Sequence, residues 1–195
     1  MLVLILGLIL FLGPHSVRIF AEGWRARTRA RLGEGTWKGL YSLVSLVGFA
    51  LICWGYVLAR QQPVVLWTPP RGMAHLAALL TLAAFILIAA AYVPRSLLRA
   101  RLHHPMVLGV KLWALAHLLA NGTLADVLLF GAFLVWAVLD FRAARQRDRA
   151  LGTVYPPGTL TASAVALLIG CVAWAAFAFW LHTLLIGVAP LGARG

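Results

Sequence analysis

Six apolar runs, each about as long as a bilayer core is thick, leave this chain few ways to fold. They fall at about 2–21, 38–59, 73–93, 105–120, 123–141 and 161–187, each near the ~20 residues that carry a helix across a ~30 Å hydrocarbon core. Lipid offers the backbone no hydrogen-bond partner, so runs of this length must close their bonds internally as helices. The expected fold is all-α: a single integral membrane domain over residues 1–195, a polytopic transmembrane bundle of about six helices. Composition agrees. The chain is 63% hydrophobic and 11% charged, against roughly 45–50% and 25% in soluble domains, and its mean hydropathy is +0.92. A soluble globule is excluded.

Breaker clusters fall between the runs: Gln61-Gln62-Pro63, Thr68-Pro69-Pro70-Arg71-Gly72, Asn121-Gly122 and Tyr155-Pro156-Pro157-Gly158. The connection at Asn121-Gly122 is so short that the fourth and fifth spans should form a tight antiparallel hairpin. The run Leu2–Leu12 resembles a secretory signal, but no basic residue precedes it and apolar character resumes after Gly13-Pro14, so it reads as a retained helix. Cys53 and Cys171 lie inside apolar runs and no Cys-x-x-Cys-His occurs, which supports neither a disulfide framework nor covalently attached haem.

The net charge of +12 would suggest nucleic acid in a soluble protein. Here its distribution sets orientation instead. Arg18, Arg25, Arg27, Arg29, Arg31 and Lys38, then Arg95, Arg99 and Arg101, then Arg142, Arg145, Arg147 and Arg149 place thirteen basic residues in or beside alternate loops, while the other side holds Arg60, Arg71 and Arg194; Lys111 lies within the fourth span. Such an asymmetry puts the rich side in the cytoplasm and both termini on the non-cytoplasmic side, and it requires an even number of spans. The basic stretches read as anchors to membrane lipids rather than as nucleic-acid contacts.

No phosphate loop, Gly-x-Ser-x-Gly, His-Glu-x-x-His or intramembrane carboxylate pair is present. Asp126 opens the fifth span, where an acidic residue caps the first turn. The histidines remain: His15, His75, His103, His104, His117 and His182. An imidazole in hydrocarbon is costly without a partner, so each is either a functional group or a hydrogen-bonded packing residue. His103 and His104 precede Pro105 at the basic face, where headgroup contact or the start of a helix explains them. Two others sit in polar stripes: His15, Arg18 and Glu22 at i, i+3 and i+7, and Trp113, His117 and Asn121 at i, i+4 and i+8. His104 lies roughly 20 Å along the helix from His117 and cannot share a close site with it.

Two neutral imidazoles on different helices can hold haem iron from opposite sides, with Arg18 or Lys111 to meet the propionates. Zinc is less well served, because no third or fourth ligand appears at standard spacing. Spacing alone points to haem only weakly.

Three motifs add to this reading: Gly13-Pro14-His15-Ser16-Val17-Arg18-Ile19, His104-Pro105-Met106-Val107-Leu108-Gly109, and Lys111-Leu112-Trp113-Ala114-Leu115-Ala116-His117-Leu118-Leu119-Ala120-Asn121-Gly122. With them the chain resembles the NnrU family of bacterial membrane proteins, related to the plant and cyanobacterial 15-cis-ζ-carotene isomerase. The resemblance implies a helical bundle in the bacterial inner membrane that binds haem b, with His15 and His117 matching the isomerase's axial ligands and thus its metal site, and Arg18, Trp113 and Asn121 beside the cofactor. It implies a link to denitrification, through nitrite and nitric oxide reductases, and a redox or nitric oxide responsive role. The related isomerase suggests the other reading, a haem-dependent cis–trans isomerase acting on an apolar carotenoid polyene. The expected topology strains the ligand pair: His15 falls on the basic side of mid-bilayer and His117 on the other, with depths differing by roughly 10 Å. Helix tilt and imidazole reach could close that gap; otherwise His75 or His182 would be the partner of His117.

Overall fold

The helices follow the apolar runs and extend past them wherever no breaker intervenes. A computed structural model describes residues 1–70 and 72–191; Arg71 and Arg194, two of the basic residues assigned to the sparse side, lie outside them. In chain order the helices are α1 (Leu2–Phe20), α2 (Glu22–Leu32), α3 (Glu34–Gln61), α4 (Met73–Tyr92), α5 (Leu97–Leu102), α6 (Pro105–Ala120), α7 (Leu124–Leu151), α8 (Leu160–Ala176) and α9 (His182–Ile186), the last two joined by a π-helical turn, Phe177–Leu181. No strand occurs among the described residues, and the chain is a helical membrane bundle.

Five helices are long and apolar enough to cross a membrane: Leu2–Phe20, Glu34–Gln61, Met73–Tyr92, Leu124–Leu151 and the continuous Leu160–Ile186. The remaining expected span, α6, has 16 residues, or roughly 24 Å of helix. Its ends are fixed by Pro105 in the first turn and by Asn121, which is extended at φ −130° and ψ 151°.

Three stretches expected as loops are helical. Residues 22–32 form α2, set off from its neighbours by Ala21 (φ −140°) and by Gly33 (φ +80°). Leu97–Leu102 form the short α5, capped by the Ser96 side chain. α7 runs ten residues past its expected end, to Gly152 at φ +59°. α2 and the extension of α7 are rich in Arg and Ala, strong helix formers, and contain no proline. The expected stripe of His15, Arg18 and Glu22 is therefore not one helical face: α1 ends at Phe20 and Glu22 opens α2, although Arg18 Nε still lies 3.9 Å from Glu22 Oε2.

Neighbouring helices pack in the order α3, α1, α7, α6, α4, α8. The hairpin expected at Asn121-Gly122 is present, with α6 against α7. Its turn is covered by the loop after α3: Leu66 N–H donates to the Gly122 carbonyl at 2.8 Å, and Leu124 N–H to the Val64 carbonyl at 2.9 Å. The α1–α3 contact is built on glycine. A Cβ on Gly48 would stand 2.6 Å from Phe11 N, one on Gly7 2.5 Å from Ile52 N, and one on Gly55 would strike the Leu4 backbone. Between lipid-facing helices it is such close backbone approach that drives association. Leu4 and Leu8 of α1, Ile52 and Ala59 of α3, Ala114 of α6 and Leu129 and Phe130 of α7 form the core at this junction.

Asp126 plays its expected structural part. Thr123 Oγ1 accepts from Asp126 N at 3.3 Å while Asp126 Oδ2 accepts from Thr123 N at 3.0 Å, a reciprocal capping box at the start of α7. Its other oxygen accepts the Tyr56 hydroxyl of α3 at 2.6 Å.

Candidate functional site

Two cavities lie toward opposite ends of the bundle, and each holds one of the two histidines singled out by the sequence. The larger, about 770 Å³, lies where α1, α2, α3, α6 and α7 meet at the basic end, and it includes His15, Arg18 and His104. The smaller, about 110 Å³, lies among α4, α6, α8 and α9 and includes Trp113, His117, Asn121 and His182.

In the larger cavity the fold gathers charges that are distant in sequence. Arg18, Arg25, Arg29, Lys38 and Arg147 line it, against Glu34, Asp140 and Asp148. The walls thus carry two more cations than carboxylates. The pairs are partly satisfied: Lys38 Nζ lies 2.7 Å from Glu34 Oε1, Arg29 Nη2 3.1 Å from Glu34 Oε2, and Arg147 Nη2 3.8 Å from Asp140 Oδ1. Trp37, Tyr41 and Trp136 supply aromatic wall. The Trp136 indole N–H is buried with no acceptor among the described residues, a donor left unmet beside a group of cations.

His15 has one ring nitrogen fixed by the backbone of its own helix. Its Nδ1–H donates to the Phe11 carbonyl at 2.6 Å, which leaves the lone pair on Nε2, and its ring stacks on Phe11 at 4.4 Å. Fixing one imidazole nitrogen on a carbonyl so that the other can bind metal is the usual second-sphere arrangement of a ligating histidine. His104 caps α6, and its Nε2 lies 2.7 Å from Asp148 Oδ2, which also accepts from Tyr155 at 3.0 Å. Burial, together with that bond to Asp148, pushes the Tyr155 hydroxyl up from its ordinary value. Sequence spacing had explained His104 by its position before Pro105; its place in this cavity depends on α7 continuing as far as Asp148.

His117 has the same local geometry at the other end. Its Nδ1–H donates to the Trp113 carbonyl at 2.8 Å and its ring stacks on Phe130 at 4.5 Å. Asn121 Nδ2 donates to the His117 carbonyl at 2.9 Å. The stripe of Trp113, His117 and Asn121 read from the sequence is thus a single face on a single cavity. His75, at the start of α4, lines neither cavity, whereas its neighbour Ala74 lines the smaller one.

α7 measures how far apart the two histidines lie. His117 stacks on Phe130, whereas His15 meets the edge of Trp136 at 6.0 Å; six residues of helix are roughly 9 Å, close to the offset expected from the sequence. The intervening space is filled by rings, with Phe11 against Phe133 at 5.7 Å and Phe133 against Trp113 at 5.5 Å. His15 and His117 thus line different cavities, with aromatic rings packed between them.

Comparison with known proteins decides the family, since the family described as NnrU protein matches residues 3–190. The chain belongs to the NnrU family. The matched region takes in every histidine and all of the residues lining both cavities except Leu191. Neither the curated proteins nor the solved structures provide a match. In this NnrU family member, Arg25, Arg29, Lys38 and Arg147 escaped the sequence reading as site residues, because positive-inside anchoring already accounted for them. The signal that could have found them is the concentration of carboxylates among them, Glu34, Asp140 and Asp148, where anchoring needs none.

Proposed function

We propose that this NnrU family member binds haem b in the larger cavity, with His15 as an axial ligand, and serves nitrogen-oxide metabolism as a redox or nitric oxide responsive membrane accessory. The observation that carries the reading is the joint placement, in about 770 Å³, of a histidine with its Nε2 lone pair free and five cations, partly offset by carboxylates that include Glu22, 2.8 Å from Arg25. That volume lies within the roughly 300–1,000 Å³ of cofactor sites, and the cations suit a pair of propionates. Arg18, assigned beside the cofactor from the sequence, is one of those cations.

When bound, haem would supply an iron able to take a diatomic gas. The chain's own residues provide the remainder. The Phe11 carbonyl fixes the tautomer and orientation of His15. His104, tethered through Nε2 to Asp148, is the second imidazole lining the cavity. Arg147 donates to the Arg18 carbonyl at 3.3 Å and so ties α7 to the end of α1 beside His15.

The test is the visible absorption spectrum of the protein purified after haem-replete expression. A Soret band, with a carbon monoxide shift on reduction, is expected. Protein that folds and purifies without a Soret band overturns the reading.

A further inference from the structure

The smaller cavity holds a pair of histidines that the haem reading does not use. His117 comes from the end of α6, and His182 from the residue that follows the π-helical turn. π-turns mark functional positions more often than chance, and this one lies directly against the cavity through Phe177 and Ala178.

The two imidazoles are prepared alike. His117 Nδ1 lies 2.8 Å from the Trp113 carbonyl and His182 Nδ1 2.6 Å from the Val188 carbonyl. A carbonyl can only accept, so both Nδ1 atoms carry the proton and both Nε2 atoms keep a lone pair. Neither Nε2 makes a hydrogen bond among the described residues. Among the other polar groups lining the cavity, Trp174 Nε1 donates to Thr81 Oγ1 at 3.1 Å, and Asn121 Nδ2 donates to the His117 carbonyl at 2.9 Å. Two imidazoles, each with a lone pair on Nε2, therefore line one cavity that contains no charged group besides them.

We propose that His117 and His182 form a two-coordinate site for a single soft, monovalent metal cation, copper(I), separate from the His15 cavity. Three features select this chemistry. The space, about 110 Å³, is well below what cofactor pockets need and ample for one ion. No group of three or more His, Cys, Asp or Glu gathers anywhere among the described residues, so the four-ligand shell of zinc cannot be assembled. No carboxylate lines the cavity, so a dication would be buried without compensation, whereas a single positive charge on two neutral imidazoles costs far less. Copper(I) accepts two nitrogen donors in line and needs no third.

The experiment titrates copper(I) into the purified full-length protein under anaerobic conditions, in competition with a chromophoric copper(I) chelator. A Cys53→Ser, Cys171→Ser background removes the thiols, and zinc(II) is titrated in parallel. One equivalent of copper(I) should bind in that background, with at least a tenfold loss of affinity in His117→Gln and in His182→Gln, and X-ray absorption should report nitrogen-only, two-coordinate copper. His15→Gln should leave copper binding unchanged. No copper bound without the cysteines, unchanged affinity in His182→Gln, or tighter zinc than copper would each overturn the proposal. Because His182 takes no part in the haem reading, the Soret band of His182→Gln should persist. That result both shows the variant is folded and keeps failure of the two proposals distinguishable.

Discussion

Gly48→Ala should loosen the helix that carries His15, although it adds only one methyl group. A Cβ on Gly48 would stand 2.6 Å from Phe11 N, 2.8 Å from Leu10 C and 3.0 Å from Phe11 Cα. All three are backbone atoms, so no side chain can turn aside, and α1 and α3 must separate by roughly 1 Å to restore van der Waals contact. Overpacking of this kind costs about 1–3 kcal/mol. Gly131 is the internal control: it lies inside α7, and a Cβ there meets nothing within 4 Å. Gly131→Ala should gain about 0.5–1 kcal/mol from reduced backbone entropy. The same substitution thus carries opposite signs at the two positions. The assay is reversible unfolding in mixed micelles of increasing SDS fraction, followed by tryptophan fluorescence. Gly48→Ala as stable as Gly131→Ala would refute the claim that α1 and α3 meet through their backbones.

Tyr56→Phe should cost about 1.5–3 kcal/mol in the same assay, since it removes a hydrogen bond to the buried Asp126 carboxylate; a double-mutant cycle with Thr123→Ala separates that bond from the capping box, and a cost below about 0.5 kcal/mol would count against the bond. Reporters fused after Arg31, Arg99 and Arg147 should all read as cytoplasmic and a fusion within residues 61–68 as external, as the charge asymmetry requires; an external reading from any of the three basic positions would break the six-crossing topology. Arg18→Gln combined with Arg147→Gln should lower haem affinity while keeping the axial spectrum, because it removes two of the cations that line the cavity; unchanged affinity would place the propionates elsewhere.

The helical membrane bundle was legible in the sequence because lipid imposes it: a run of about 20 apolar residues has one stable backbone conformation there. The ends of α2 and α7 were less legible. Their Arg- and Ala-rich extensions lose apolar character at the membrane face but not helical propensity, so hydropathy stops where the helix does not. Asp126 could be read as a cap because capping is local. The stripe of Trp113, His117 and Asn121 was legible for the same reason, since it depends only on α6 being a helix. What joins His15 to Arg147 and His104, or His117 to His182, is the lateral order of helices, with α7 between α1 and α6 and α4 between α6 and α8. That order is set by where glycine lets backbones approach, as at Gly48, Gly109 and Gly170. A single helix's periodicity carries no record of it. The rings of Phe11, Phe133 and Trp113 that stand between His15 and His117 were not visible in the sequence.

The most direct test of the account compares the haem content of His15→Ala and His117→Ala, expressed with excess haem and measured per mole of folded protein by the pyridine haemochrome. With haem in the basic cavity, His15→Ala should lose most of its haem, or retain it with an altered spectrum and faster carbon monoxide binding, while His117→Ala should keep both wild-type stoichiometry and wild-type spectrum. Loss of haem from His117→Ala with full retention in His15→Ala would contradict the account and move the cofactor to the other end of the bundle.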